Sequence, residues 1–426
     1  MGRPGGAALP AREGIGSDPA LGQLGASSGR TLRPMQPNPR ASSLSGSATL
    51  ALDARAKELI RSGVDVINMA CGEPDFDAPA AVQAAAVAAV GGGNVRYTPP
   101  AGRPDLRATV ARHLSATRSI EVSPEEVVIT HSGKHALSHA FLALLEEGDE
   151  ILMPLPAWSS YDEEIRFAGG APLHVGPRAD MGPNLDAIEE ACTDRTKGIL
   201  LNTPCNPSGY VWRAEELRRL GDLALERDLW ILSDEIYGRL VFGDAVHVSP
   251  ATLSPELRAR TLIVDGASKA YAMTGYRIGF LFGPAELIAV VARMQSQLSG
   301  SPNAISQEAF LAALSEEPPE VEQMVRAFDE RRQVMVEGLR DLGLDTPLPR
   351  GAFYAFPSVL PYLDERGAQG FCADLLEEQA LAIVPGEVFG MDDHVRLSCA
   401  LSVENIRRAL ERLEAFLDAR QQVSST

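Results

Sequence analysis

Short apolar runs in this chain end on residues that can do chemistry. Val127–Thr130 is followed by His131-Ser132-Gly133-Lys134, and Gly198–Leu201 by Asn202-Thr203-Pro204-Cys205-Asn206. Leu229–Leu232 runs into Ser233, Asp234 and Tyr237, and Leu262–Val264 into Asp265, Ser268 and Lys269. Ile151–Met153 leads to a Pro-rich loop holding Trp158, and Arg277 precedes the run Ile278–Phe282. Ser132-Gly133-Lys134 at a helix start offers free N–H groups and the positive end of a helix dipole, which suits a phosphate. Ser268 adds a hydroxyl and Arg277 a planar cation, both matched to phosphate oxygens. Asp234, at a buried strand end, is costly unless paired, and a protonated ring nitrogen is one such partner. Trp158 offers a stacking face and Tyr237 a phenol. Lys269 offers an amine whose pKa burial and the Arg277 cation would lower, and the neutral amine is the nucleophile. Phosphate, aromatic ring, ring nitrogen and aldehyde together describe pyridoxal 5′-phosphate (PLP), held as a Schiff base on Lys269.

Each residue alone has a plainer explanation. Most lysines are solvated surface charges; an aspartate at a strand end is commonly a helix cap or an ion-pair partner. Tryptophans are mostly core, Asn206-Pro207-Ser208-Gly209 is by itself a turn, and Arg277 alone is a surface ion pair. The functional reading rests on their recurrence at successive strand tips.

The elements that must position these groups follow from the same runs. Val127–Thr130, Ile151–Met153, Pro172–Val175, Gly198–Asn202, Leu229–Asp234, Leu262–Asp265 and Ile278–Phe282 are short and continuously apolar, as strands buried on both faces are. Helical stretches such as Lys134–Glu147 and Ala214–Arg227 separate several of them. The alternation predicts an α/β fold, a mostly parallel sheet flanked by helices with every strand parallel except the last. Ligands bind beyond the carboxyl ends of such strands. After residue 304 the pattern changes to a long helix over Pro319–Leu342, strands at Ala352–Phe356, Leu381–Val384 and Val395–Ser398, and a closing helix from Val403 to Arg420. This predicts a smaller α+β domain. Near the N-terminus a helix over Leu50–Ser62, a strand over Val64–Met69, an Ala-rich helix from Pro79 and another from Pro104 are expected. Residues 1–40 are rich in Gly, Pro, Ala and Ser and read as a disordered tail, with Met35 as an alternative start.

Net charge is −18 and basic residues form no block, which argues against nucleic acid or an anionic membrane as partner. No apolar run reaches the roughly 18 residues of a membrane span, and the first 35 residues lack a secretory h-region. Five scattered cysteines without a C-x-x-C pair predict reduced thiols, a cytoplasmic setting and no metal site. A P-loop is excluded because Lys134 is followed by His135 and no glycine stands five residues before Gly133.

Between Leu50 and Arg420 the chain resembles the class I aminotransferases of the fold-type I PLP enzymes, in their aspartate-aminotransferase-like branch. The matching stretches are Gly72-Glu73-Pro74-Asp75-Phe76, Tyr97-Thr98-Pro99-Pro100-Ala101-Gly102, Asn206-Pro207-Ser208-Gly209-Tyr210-Val211, Ser233-Asp234-Glu235-Ile236-Tyr237, the run Ser268–Gly279 around Lys269, Gly351-Ala352-Phe353-Tyr354 and Val395-Arg396-Leu397-Ser398. The resemblance implies a PLP-binding large domain over 81–304 and a small domain over 41–80 and 305–426. It implies that Arg396 holds the substrate α-carboxylate with Asn206 and the Gly72 backbone, and that Tyr237 and Asn206 bond the ring oxygen. Trp158 would stack on the ring beside the substrate. Tyr97 would reach the cofactor phosphate of a neighbouring subunit, which makes the enzyme a homodimer with shared sites. The implied reaction moves an amino group between an L-amino acid and a 2-oxo acid, with Lys269 shuttling the proton. Two departures stand out: Ala157 occupies a position where many relatives carry a tyrosine or another larger residue, and Ser299-Gly300-Ser301-Pro302 offers no arginine for a side-chain carboxylate. The alternatives are a PLP-dependent lyase, decarboxylase or cyclase, a serine hydrolase built on Ser268 and His394, and a non-enzymatic regulator.

Overall fold

The computed structural model describes residues 35–46, 48–93 and 95–424. The tail expected over 1–40 falls outside the described residues as far as position 34. Within 35–43, a separate unit, Asn38 caps a four-residue helix, Pro39–Ser42.

In chain order the strands are β1 (Ile67–Asn68), β2 (Val127–Thr130), β3 (Glu150–Pro154), β4 (Ala171–Val175), β5 (Thr196–Asn202), β6 (Trp230–Asp234), β7 (Thr261–Gly266), β8 (Gly279–Phe282), β9 (Tyr354–Ala355), β10 (Leu381–Ala382), β11 (Val384–Pro385) and β12 (Val395–Ser398). All seven apolar runs become one seven-stranded sheet in the order β2-β8-β7-β6-β5-β3-β4. Strand β8 is antiparallel to both β2 and β7, while the β3–β4, β3–β5, β5–β6 and β6–β7 pairs are parallel. The runs are uninterrupted because both faces are covered. Val127 and Ile129 pack on one side with Leu106 and Phe310, whereas Val128 packs on the other with Phe141 and Ile165. Along β6, Ile231 joins Leu217 and Leu220 on the first side and Leu232 joins the second.

Helices bounded by local signals connect the strands. Proline opens Pro104–Arg118 and Pro319–Asp341, where its missing N–H is no loss. The Asn303 side chain accepts from Ser306 N at 3.0 Å to start Ala304–Ser315. That helix puts Ala309, Phe310 and Ala313 into the core shared with Val82 and Leu106, against one face of the large sheet.

A second core gathers Phe328, Met335 and Leu339 of the Pro319–Asp341 helix, Phe353 and Tyr354, and Ile406, Leu413 and Phe416 of the Val403–Ser424 helix. A three-stranded sheet, β11-β12-β9, runs through this part. The expected strand Leu381–Val384 divides: β10 pairs parallel with β1, and β11 pairs antiparallel with β12. Met69 N donates to Ala382 O at 2.8 Å and Ser398 N to Met69 O at 2.9 Å, which fixes residues 69–72 beside β12. Among the described residues no helix is long and apolar enough to cross a membrane.

Candidate active site

The carboxyl ends of β2, β5, β6 and β7 open into a cavity of about 390 Å³. This volume falls within the roughly 300–1,000 Å³ of small-molecule sites. Its lining includes Gly72, Ser132, Gly133, Lys134, Trp158, Asn206, Asp234, Tyr237, Ser268, Lys269, Arg277 and Arg396. Every residue given a PLP- or substrate-binding role in the sequence is therefore brought to one place except Tyr97. That side chain is fully exposed and does not line the cavity of its own chain.

Lys269 follows β7 in the short turn of helix Ala267–Ala270, and its Nζ donates to the Gly72 carbonyl. Burial pulls its pKa down to about 8; Glu73 and Cys71 oppose that fall, while Arg396 and Arg277 add to it. Asp234 ends β6 and is 4% exposed. Its Oδ2 accepts from the Tyr161 hydroxyl at 2.7 Å and its Oδ1 from Ile236 N at 3.1 Å. Burial pushes this carboxyl up to about 6, against the pull of those two hydrogen bonds.

Behind the cavity, Ser132 holds a φ of 100°, a conformation rare for a residue with a side chain, and the helix Gly133–Leu144 begins next to it. The close approach is enforced from below: a Cβ at Gly279 would meet Gly133 N at 2.7 Å and Ser132 C at 2.8 Å. Lys134 Nζ donates to Ser160 Oγ at 3.0 Å and stands 4.4 Å from the Trp158 ring centre. Arg277, also at positive φ, anchors Nη1 on the Thr274 carbonyl at 2.7 Å.

On the opposite wall Arg396 is 3% exposed. Nη1 donates to Asn206 Oδ1 at 3.0 Å and Nη2 to the Ala70 carbonyl at 2.8 Å, while the buried Nε has no partner among the described residues. The guanidinium carbon lies 4.4 Å from the Tyr354 ring centre. Tyr237 and Tyr354 share a 2.9 Å hydrogen bond between hydroxyls, and burial pushes the Tyr237 phenol well above its usual range.

These residues fit PLP. Helix N–H groups, a strained serine turn and cations suit the phosphate. A buried, half-satisfied carboxyl suits a ring nitrogen, and a buried amine of lowered pKa suits an aldehyde. The serine-hydrolase alternative lacks its geometry, because His394 stacks on Phe356 at 5.0 Å and bonds Asp393, away from the cavity that Ser268 lines.

Residues 64–413 match the family described as aminotransferase class I and II. The chain belongs to this family. It is 41% identical over 387 residues to an aspartate aminotransferase of Geobacillus stearothermophilus, covering 89% of this chain and 98% of that one. It is 42% identical over 384 residues to an aspartate/prephenate aminotransferase of Thermus thermophilus, with the same coverage. Among solved structures, the aspartate aminotransferase from Thermus thermophilus with maleate matches with a TM-score of 0.86 at 40% identity, covering 90% of this chain and 100% of that one. The protein is a PLP-dependent aminotransferase with the α/β fold expected from its strand runs.

Among the residues lining this aminotransferase's cavity that had no role assigned from sequence are Tyr161, Asn202 and Tyr354. Asn202 Nδ2 donates to the Asp234 carbonyl at 2.9 Å and its Oδ1 accepts from Asn206 N at 2.7 Å, so it ties the β5 and β6 tips together. Its place at the end of an apolar run was the available signal. Tyr354 sat inside a quoted motif. Tyr161 sits in the helix Ser160–Phe167, just beyond the Trp158 loop, an element that the sequence reading did not name.

Proposed function

We propose that Lys269 holds PLP, that Arg396 receives the α-carboxylate, and that the amino donor is acidic, of the aspartate class. The observation that carries this reading is one cavity with a buried amine of lowered pKa at its base, a buried arginine on one wall and Lys134 on the other. The donor class is supported by Lys134, a cation facing the cavity where the loop 299–302 supplies none, and by the names of the relatives.

Arg396 orients the substrate through paired N–H donors, its plane already fixed by Asn206, the Ala70 carbonyl and the Tyr354 ring. Lys269, with a large neutral fraction near pH 8, moves the proton at the substrate α-carbon. PLP, when bound, supplies the carbonyl that takes the amine and the ring that accepts the electrons. Asp234 would hold a proton on the ring nitrogen, and Tyr161 holds Asp234. Tyr237 and Asn206 would bond the ring oxygen, Trp158 would cover the ring face, and Ser132, Gly133, the Lys134 backbone N–H, Ser268 and Arg277 would receive the phosphate. Exposed Tyr97 completes the site of a second copy, so the working form is a homodimer, in the cytoplasm, with amino acids and 2-oxo acids as its small-molecule partners. The large domain of this reading spans 81–304 and the small one 41–80 with 305–426.

The experiment is an absorbance-monitored half-reaction of PLP-loaded enzyme with each amino acid singly. Conversion to the aminated cofactor fastest with aspartate or glutamate is expected. Conversion only with neutral donors would overturn the donor class, and product formation without a 2-oxo acid acceptor would point to a lyase.

A further inference from the structure

Glu164 is an acid that none of these roles uses. It lies one turn after Ser160 in the helix Ser160–Phe167, so the two share a face. Its Oε2 is shut off from solvent and has no hydrogen-bond partner among the described residues. The groups facing it are Lys134 and Ser138 of the helix Gly133–Leu144 and Asp234 of β6. Strand β4, packed against the same helix, carries one titratable side chain, His174, which bonds Asp162 at 2.8 Å. On its own helix, Tyr161 is engaged with Asp234, and Glu163 accepts from Ser45 N at 2.9 Å. The Lys134 ammonium meanwhile reaches the cavity, and its bonded neighbour there is the neutral hydroxyl of Ser160.

We propose that Glu164 is a positioning residue that sets, through Lys134, the cavity's affinity for a second carboxylate on the substrate. Protonated, it leaves the Lys134 charge to the ligand; ionised, it competes for that charge. This rests on the reading of Lys134 as the cation that meets the donor's side-chain acid. Burial raises the Glu164 carboxyl to about 8, with Lys134 and Ser138 pulling it down and Asp234 pushing it further up. The proton therefore leaves as pH rises through about 8, and dicarboxylate affinity falls above that point. Such a device lets a cavity hold acidic donors near neutrality and release them in alkali without any change in Arg396.

The test titrates PLP-loaded enzyme with succinate and with propionate by the cofactor's absorbance from pH 6.5 to pH 9.5. The ratio of the two affinities cancels whatever acts on the shared carboxylate end. In wild type this ratio is expected to fall roughly fivefold across pH 8, the low end of the usual coupling between linked sites. In Glu164→Gln and Glu164→Met it stays flat. A wild-type ratio without pH dependence, or an equal fall in both variants from titration of Lys134 itself, overturns the proposal and leaves the Lys134 reading standing. No preference for succinate at any pH overturns both.

Discussion

At the scale of single residues, Asp234 is the site's main conflict between stability and function. Its carboxyl is pushed from 3.8 up to about 6 by burial. The folded chain thus binds this proton more tightly than the unfolded chain, and stability falls as pH rises from about 4 to about 6, then levels off. The full effect is about 3 kcal/mol. In the apoenzyme, Asp234→Asn removes that slope, so wild type should lose stability relative to the variant over this window; denaturant melts at pH 4.5, 6 and 7.5 measure it. Parallel profiles for the two proteins would contradict it. In the holoenzyme the same substitution should lower kcat by roughly two to three orders of magnitude, the usual cost of removing one electrostatic partner of the reacting group. The principal side chains were legible in the sequence because each is chemically distinctive and ends an apolar run. Tyr161 was not, because its role depends on the helix Ser160–Phe167 turning its hydroxyl to within 2.7 Å of Asp234. Glu164 was hidden for the same reason.

At the scale of elements, the seven strands of the large sheet were readable to within about two residues, since strands buried on both faces leave uninterrupted Val, Ile and Leu runs. Other features were not. The run 381–384 reads as one strand, yet Leu381–Ala382 and Val384–Pro385 pair with different neighbours, and pairing is a property of the partners. The helix Ala304–Ser315 carries apolar residues on most of its surface, so no polar face announced it. The antiparallel β8 has a specific duty: Gly279 lets it pass beneath the Ser132–Gly133 turn. A methyl group there meets backbone atoms at 2.7 to 2.9 Å, which cannot swing aside. Gly279→Ala should cost about 1–3 kcal/mol of stability, as overpacking does. It should also weaken PLP binding more than it slows the turnover of whatever holoenzyme forms. Cofactor titration of the apoenzyme, followed by kcat at saturating PLP, separates the two; unchanged PLP affinity would contradict this account of the turn.

At the scale of the whole molecule, the fully exposed Tyr97 sits on a chain whose cavity it does not line. If it serves a second copy in a two-fold dimer, Lys269→Ala and Tyr97→Ala complement each other. Mixed after unfolding and refolding, half the dimers are hybrids with one intact site of two, which restores about a quarter of wild-type activity. No recovery above the two parents would contradict shared sites. The central claim is that the fold delivers one lysine, at the end of β7, to the cofactor. Borohydride reduction of the PLP-loaded enzyme followed by peptide mapping tests it most directly. The cofactor's mass is expected on the peptide containing Lys269 and is expected to be absent from Lys269→Ala. The same mass on Lys57 or Lys134, the other lysines lining the cavity, with Lys269 unmodified, would contradict it.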